Sequence, residues 1–286
     1  MVFVPSRAAA LALCLSAAAL PGCVTTSPSD VPESVLEVQA GGGDPESQYR
    51  LGLRLTAGQV MEQDYAAAAH WFAEAAEGGH LDALYMLGIA RSVGRGVPVD
   101  RQAALADFEA AADRGHVRAM YQVGDAYMNG RGAAKERAWG ARWLGRAARR
   151  GHRDARFDLG VLFAVGRGLP QRPDLATAWL DCAAADGHEA AARVRAKLVA
   201  DGAPDNACPR TPEPEVPVTA DSPTVLYVQE SLKVLGFDPG PLDGLWGPTT
   251  ASAARRFAAG QGLDWDGQVS PPLLDALRRA SLTAGS

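Results

Sequence analysis

The chain repeats itself every 36 residues. Leu51-Gly52, Leu87-Gly88, Val123-Gly124 and Leu159-Gly160 hold one register, and Gly79-His80, Gly115-His116, Gly151-His152 and Gly187-His188 hold another. Four copies run from about Pro45 to His188 with no insertion. Fixed self-similarity at such a period marks a solenoid, in which each unit buries its apolar face on its neighbours. A solenoid offers an extended surface and usually no reaction centre, so the repeat points toward binding.

Within the copy from Leu81 to His116, Leu84, Leu87, Gly88 and Ala90 carry helical spacing. Gly94-Arg95-Gly96-Val97-Pro98 breaks that helix. Asp100 then stands where an N-cap belongs, and Ala103, Ala104, Phe108, Ala111 and Ala112 line a second helix that Gly115 ends. Each unit therefore predicts an antiparallel helix pair, and Glu189 to Leu198 reads as a closing helix. These residues resemble the Sel-one-like repeats, relatives of the tetratricopeptide repeats. The marks are the early Leu-Gly, the turns Gly94-Arg95-Gly96, Gly130-Arg131-Gly132 and Gly166-Arg167-Gly168, and the pairs Trp71-Phe72, Trp143-Leu144 and Trp179-Leu180. The first copy departs, because Gly58-Gln59-Val60 lacks the second turn glycine, as an atypical capping unit would. The resemblance implies an all-α superhelix serving as an adaptor or assembly scaffold.

The start of the chain speaks to location. Arg7 precedes an apolar run from Ala8 to Leu20, too short for a permanent membrane span and shaped like a secretory signal. Leu20-Pro21-Gly22-Cys23 looks like a bacterial lipobox. That resemblance implies cleavage before Cys23, lipidation of its thiol and acylation of its new amino group; the alternative is an ordinary signal with Cys23 a bystander. Val24 is not the aspartate that commonly retains such proteins at the inner membrane, so an outer-membrane lipoprotein facing the periplasm is expected. Loss of Arg7 takes the formal net charge from −5 to −6, which does not favour nucleic acid as a partner. Cys182 and Cys208 can pair in an oxidising compartment or stand as separate thiols.

Composition divides the remainder. Residues 1–22 read as the signal, 23–43 as a flexible tether ending in three glycines, 44–202 as the repeats with their closing helix, and 203–223 as a proline-rich semi-rigid linker. Residues 224–282 form one small domain. It carries Val228-Gln229, Leu232, Leu235-Gly236-Phe237, Gly240, Asp243-Gly244, Trp246-Gly247, Thr250 and Gly262-Leu263. These resemble the small peptidoglycan-binding domain found beside many cell-wall enzymes, with Ala258 replacing a usual glutamine. The resemblance implies three short helices and noncovalent affinity for peptidoglycan. Its candidate contacts are Asp243, Gly244, Trp246, Gly247 and Thr250. For Asp243, Gly244 and Gly247 the competing role is shaping a turn, for Thr250 capping the middle helix, and for Trp246 core packing.

Two features of the repeats invite a functional reading. Four of the five histidines recur at equivalent positions. Stacked repeats set such atoms on the order of 10 Å apart, too far to share one ion, so hydrogen bonding at helix ends is expected rather than a metal ladder. Residues 117–152 hold eight Arg/Lys against two acids. Arg142, Arg146, Arg149, Arg150 and Arg153 fall at helical spacings that would gather charge on one face, either for an acidic partner or as a solvated surface. Trp71, Trp143 and Trp179 could stack a ligand or fill the core.

No catalytic or zinc motif appears, and neither a metal nor a cofactor is expected. The expectation is an all-α, non-enzymatic envelope lipoprotein: a superhelical solenoid plus a small three-helix wall-binding domain. Its partners are peptidoglycan, a membrane reached through the lipid anchor, and an envelope protein on the repeats. The competing roles are assembly of polysaccharide export or secretion machinery, and recruitment of a separate wall hydrolase.

Overall fold

The computed structural model describes residues 33–58, 62–208 and 222–284. The signal, Cys23, Gln59-Val60 and the later part of the linker lie outside them. The described residues contain helices and no strand. In order these are α1 (Glu33–Gly41), α2 (Pro45–Ala57), α3 (Tyr65–Glu77), α4 (Leu81–Val93), α5 (Arg101–Asp113), α6 (Val117–Asn129) and α7 (Arg137–Arg149). They continue as α8 (Arg153–Val165), α9 (Pro173–Ala185), α10 (Glu189–Ala200), α11 (Ser222–Val234), α12 (Pro248–Gly260) and α13 (Pro271–Ala284).

Helices α2 to α9 form four antiparallel pairs, each packed on the next. The Leu-Gly signature has a steric cause. A Cβ added at Gly52 or Gly88 would lie 2.6 Å from the ring of Phe72 or Phe108, and one at Gly124 or Gly160 would lie 2.8 Å from Leu144 or Leu180. The glycine lets the bulky residue of the second helix seat against the backbone of the first. Around that contact the core is small and close-packed: Ala75, Ala83, Ala111, Ala119, Ala147, Ala155 and Ala183 are fully buried beside Leu51, Leu87, Val123 and Leu159. Burying each leucine or phenylalanine contributes about 2–3 kcal/mol.

Three of the four recurring histidines cap helices through their side chains, and His188 does not. His80, His116 and His152 accept through Nδ1 from the backbone N–H of Ala83, Ala119 and Ala155, at 3.1, 3.1 and 3.2 Å. Each ring also stacks on an aromatic residue of the preceding pair: His80 on Tyr49, His116 on Tyr85, His152 on Tyr121 and His188 on Phe157. Nε2 of His80 and His116 meets Glu46 and Asp82, whereas the corresponding residue for His152 is Arg118. One side chain thus starts a helix and joins two repeats.

This cap carries a pH dependence. Burial, then Arg118 and Arg153, hold the His152 imidazole below its ordinary pKa against the opposing pull of Asp154. Protonation favours the unfolded chain, so this contribution is complete above the unfolded-state value near 6.5 and is lost as pH falls through the depressed folded one. Urea midpoints at pH 7.5 and pH 5 should therefore fall less for His152→Asn, which can cap without titrating, than for the parent. Equal falls would remove His152 from the titration.

Three linear expectations change. The flexible tether is helical over its last part: α1 buries Leu36 and Ala40 against the first repeat, and the Gln48 amide donates to the Ala40 carbonyl. A terminal repeat has no preceding neighbour to cover its apolar face, and α1 supplies that cover. The linker does not begin as a free spacer. Cys182 and Cys208 form a disulfide, with Cα atoms 4.7 Å apart. Thr177 donates to the Pro204 carbonyl and Asn206 to the Asp174 carbonyl, pinning residues 203–208 along α9. The small domain is not held away from the solenoid either. Helix α11 packs on α7, joining both parts through one hydrophobic cluster.

Candidate binding surfaces

The C-terminal domain is organised around a buried amide. Gln229, on α11, is 1% exposed. Its Nε2 donates to Asp243 Oδ1 at 3.1 Å, the Leu245 carbonyl at 3.0 Å and Thr250 Oγ1 at 3.2 Å. Its Oε1 accepts from the Gly244 N–H at 2.9 Å. Two amide protons thus serve three acceptors while the carbonyl is also used, so the 242–247 loop is held to the core by polar bonds, of which those to Thr250 and Gly244 are fully buried. Burial raises the Asp243 pKa, but hydrogen bonds from the Leu245 N–H and the Gln229 amide outweigh it and hold the carboxyl below its ordinary value.

Asp243 and Gly244 therefore shape the turn. Gly247 stands at the N-cap of α12 with extended backbone and makes no side-chain cap bond. Thr250 does not cap that helix, contrary to expectation. It lies in the first turn, three residues past the N-cap Gly247, is 2% exposed, and donates to the Pro239 carbonyl at 2.9 Å. Gly247 occupies the N-cap, and the Thr250 hydroxyl is taken up by Pro239 and Gln229.

What this scaffold presents outward is apolar. Leu245 is 55% exposed and Trp246 half-buried. The Trp246 ring centre lies 6.4 Å from that of Trp265, tilted by 58°. Trp265 is held by its indole N–H, which donates to the Gln268 carbonyl at 2.6 Å. Two adjacent indoles beside an exposed leucine form a surface on which a sugar face or peptide can pack. Trp265 was not among the residues expected from sequence, and its only signal there was a tryptophan inside the Gly262-to-Gly267 loop.

The five arginines do not form one free face. The Arg142 guanidinium lies 4.5 Å from the Trp139 ring and 5.4 Å from Trp143, and Arg146 lies 4.1 Å from Trp143. Arg149 is half-buried, while Arg150 and Arg153 are exposed. Arg153 is occupied by Asp154 at 3.1 Å. The indoles of α7 draw the nearest guanidiniums flat onto the helix, because cation–π contact and stem burial both favour it. Trp143 is core, at 3% exposure, while Trp71 and Trp179 are half-buried.

Trp139 anchors the join between the two parts of the chain. Its ring lies 4.7 Å from Tyr227 of α11. Arg278 of α13 reaches over Tyr127 and Trp139, at 5.0 and 4.7 Å, and donates to the Tyr127 hydroxyl. That hydroxyl donates in turn to Glu109 at 2.6 Å, and Glu109 lies 3.6 Å from the guanidinium. An arginine seated among aromatic rings and a carboxylate is the kind of anchor that dominates interface energetics.

A helix-pair solenoid carrying a small domain with a partly exposed aromatic turn has the form of a noncovalent binding scaffold. Comparison with known proteins makes the assignment specific. The Sel1 repeat family matches residues 45–80, 81–116, 117–152 and 153–188, and the chain belongs to that family. The peptidoglycan binding domain family matches residues 221–277. Among solved structures, a protective antigen present in uropathogenic Escherichia coli strains and displaying an SLR fold is 23% identical. It superposes with a TM-score of 0.60 over 90% of this chain and 50% of that one. A Sel1 repeat protein from Oxalobacter formigenes is 34% identical, with a TM-score of 0.53 over 57% of this chain and 48% of that one. The chain thus spans about half the length of either structure. A search of curated proteins finds no match. Repeats of this family point to protein–protein interaction, and the C-terminal domain to peptidoglycan binding.

Proposed function

We propose that the protein is an exported lipoprotein that tethers a partner to the cell wall. The C-terminal domain holds peptidoglycan, the repeats dock an envelope protein, and Cys23 carries the lipid at the outer membrane, facing the periplasm. The observation that carries the reading is the paired Trp246 and Trp265 surface on a loop held by Gln229, within the segment matching the peptidoglycan binding domain. Neither part contributes a reaction centre to this reading. Tethering works by raising local concentration: engaging membrane and wall on one chain makes the second contact intramolecular.

Two measurements test it. In sedimentation with purified sacculi, residues 24–286 should pellet, and Trp246→Ala should weaken the apparent affinity about tenfold or more, since truncating an aromatic anchor at an interface costs more than about 1 kcal/mol. Unchanged pelleting would remove Trp246 from the binding surface, and a parent chain left in the supernatant would remove wall binding. Palmitate labelling in cells should appear on the full chain and vanish in Cys23→Ala. Label that persists in the variant would disprove anchoring at Cys23.

A further inference from the structure

The seam between the third repeat and the C-terminal domain encloses a cleft of about 510 Å³, a volume typical of small-ligand sites, which favour domain interfaces. Val234 and Leu282 line it and are 61% and 50% exposed. Trp139 also lines it. This residue is only 4% exposed, yet its indole N–H has no acceptor. A buried donor without a partner is costly and rare in native structures.

Two carboxylates share the cleft, Glu136 from the solenoid and Glu230 from α11. Burial pushes both above their ordinary pKa; at Glu136 the Arg278 guanidinium works against that and Glu109 with it, whereas at Glu230 burial is the sole cause. Among the described residues no hydrogen bond or ion pair reaches the Glu230 carboxylate. Lys135 and Arg137, both exposed, complete the rim. The cleft thus offers desolvated negative charge, apolar walls and a cationic edge.

We propose that this seam binds the stem peptide of peptidoglycan through the free ammonium of its diamino acid. The ammonium sits between Glu136 and Glu230, giving Glu230 the cationic partner it lacks and adding to the pull of Arg278 on Glu136. The terminal carboxylate faces Lys135 and Arg137, and the aliphatic stem packs on Val234 and Leu282. A glycan strand of N-acetylated sugars carries no cation and leaves both carboxylates unmatched, so the peptide and not the sugar is the ligand here. The proposal rests on the wall-binding reading of the C-terminal domain. It adds that the solenoid contributes half of the site.

The test uses residues 24–286 in calorimetric titrations with a soluble wall tripeptide ending in the diamino acid, native or acetylated on its free amine, with sacculus sedimentation alongside. The native peptide should bind. Acetylation should weaken it about tenfold or more, as should Glu136→Gln with Glu230→Gln, with thermal melting unchanged, since a charge-assisted hydrogen bond contributes about 1.5–3 kcal/mol. Equal binding of both peptides, or sacculi retained with no peptide binding, would overturn the seam site and leave wall binding standing. If neither sacculi nor peptide is bound, both readings fall together. Acetylation alters only the ligand, so that comparison holds even if the double variant is perturbed.

Discussion

Gly96→Ala should destabilise the solenoid by about 3–4 kcal/mol, combining left-handed backbone strain with overpacking. Gly96 has φ +78°, and a Cβ there would lie 1.9 Å from the Tyr65 carbonyl oxygen and 2.2 Å from its carbon. Both are backbone atoms at the start of α3, so no side-chain rotation relieves the clash. Gly132 meets the Arg101 carbonyl in the same way, at 2.2 Å. The second glycine of the Gly-Arg-Gly turn is therefore the point at which one repeat rides on the previous one. Gly115→Ala supplies the control: φ is +97° and nothing stands within 4 Å, so strain alone should cost about 1–2 kcal/mol. Urea unfolding followed by circular dichroism measures both. Equal losses would show that crowding against Tyr65 is not what requires glycine at 96.

Gln229→Leu is expected to unfold the C-terminal domain while leaving the repeats folded. The substitution keeps the volume and deletes the amide. It strands the Gly244 N–H and removes a donor from Asp243, Leu245 and Thr250, at about 1–3 kcal/mol for each buried group left unpaired. A three-helix domain of this size has about that much stability in reserve. Amide hydrogen exchange should show protection lost across α12 and kept across α4 to α9, and sacculus sedimentation should fall to background. Full protection in α12 would mean that water or a rearranged turn replaces the amide, and that the hub does not hold the domain together.

Much of the fold was legible because its determinants are local or periodic. The 36-residue register locates the helix pairs, Asp100 caps α5 where its position predicts, and the glycines after α4, α6 and α8 end those helices. Histidine capping was equally legible, since a cap acts within one turn and the repeat prints it several times. The wall-binding loop could be recognised from its motif, but the work of its members could not. Thr250 reads as a helix cap in one dimension and is a buried partner of Gln229 in three.

The sequence by itself determined the period, the helix boundaries, the all-helical class and the two kinds of binding module, because these follow from spacing, propensity and capping over a few residues. Only the tertiary structure decided how the charged and aromatic residues of the third repeat are used. Arg142 and Arg146 lie on indoles, and Arg278 reaches Tyr127 across 151 residues of chain. It also decided that α1 closes the open end, that Cys208 folds back on Cys182, and that Glu136, Glu230 and Trp139 meet in one cleft. No periodic pattern encodes such contacts. They arise when surfaces left over from local folding find one another, and burial of Trp139 against Tyr227 is what brings them together.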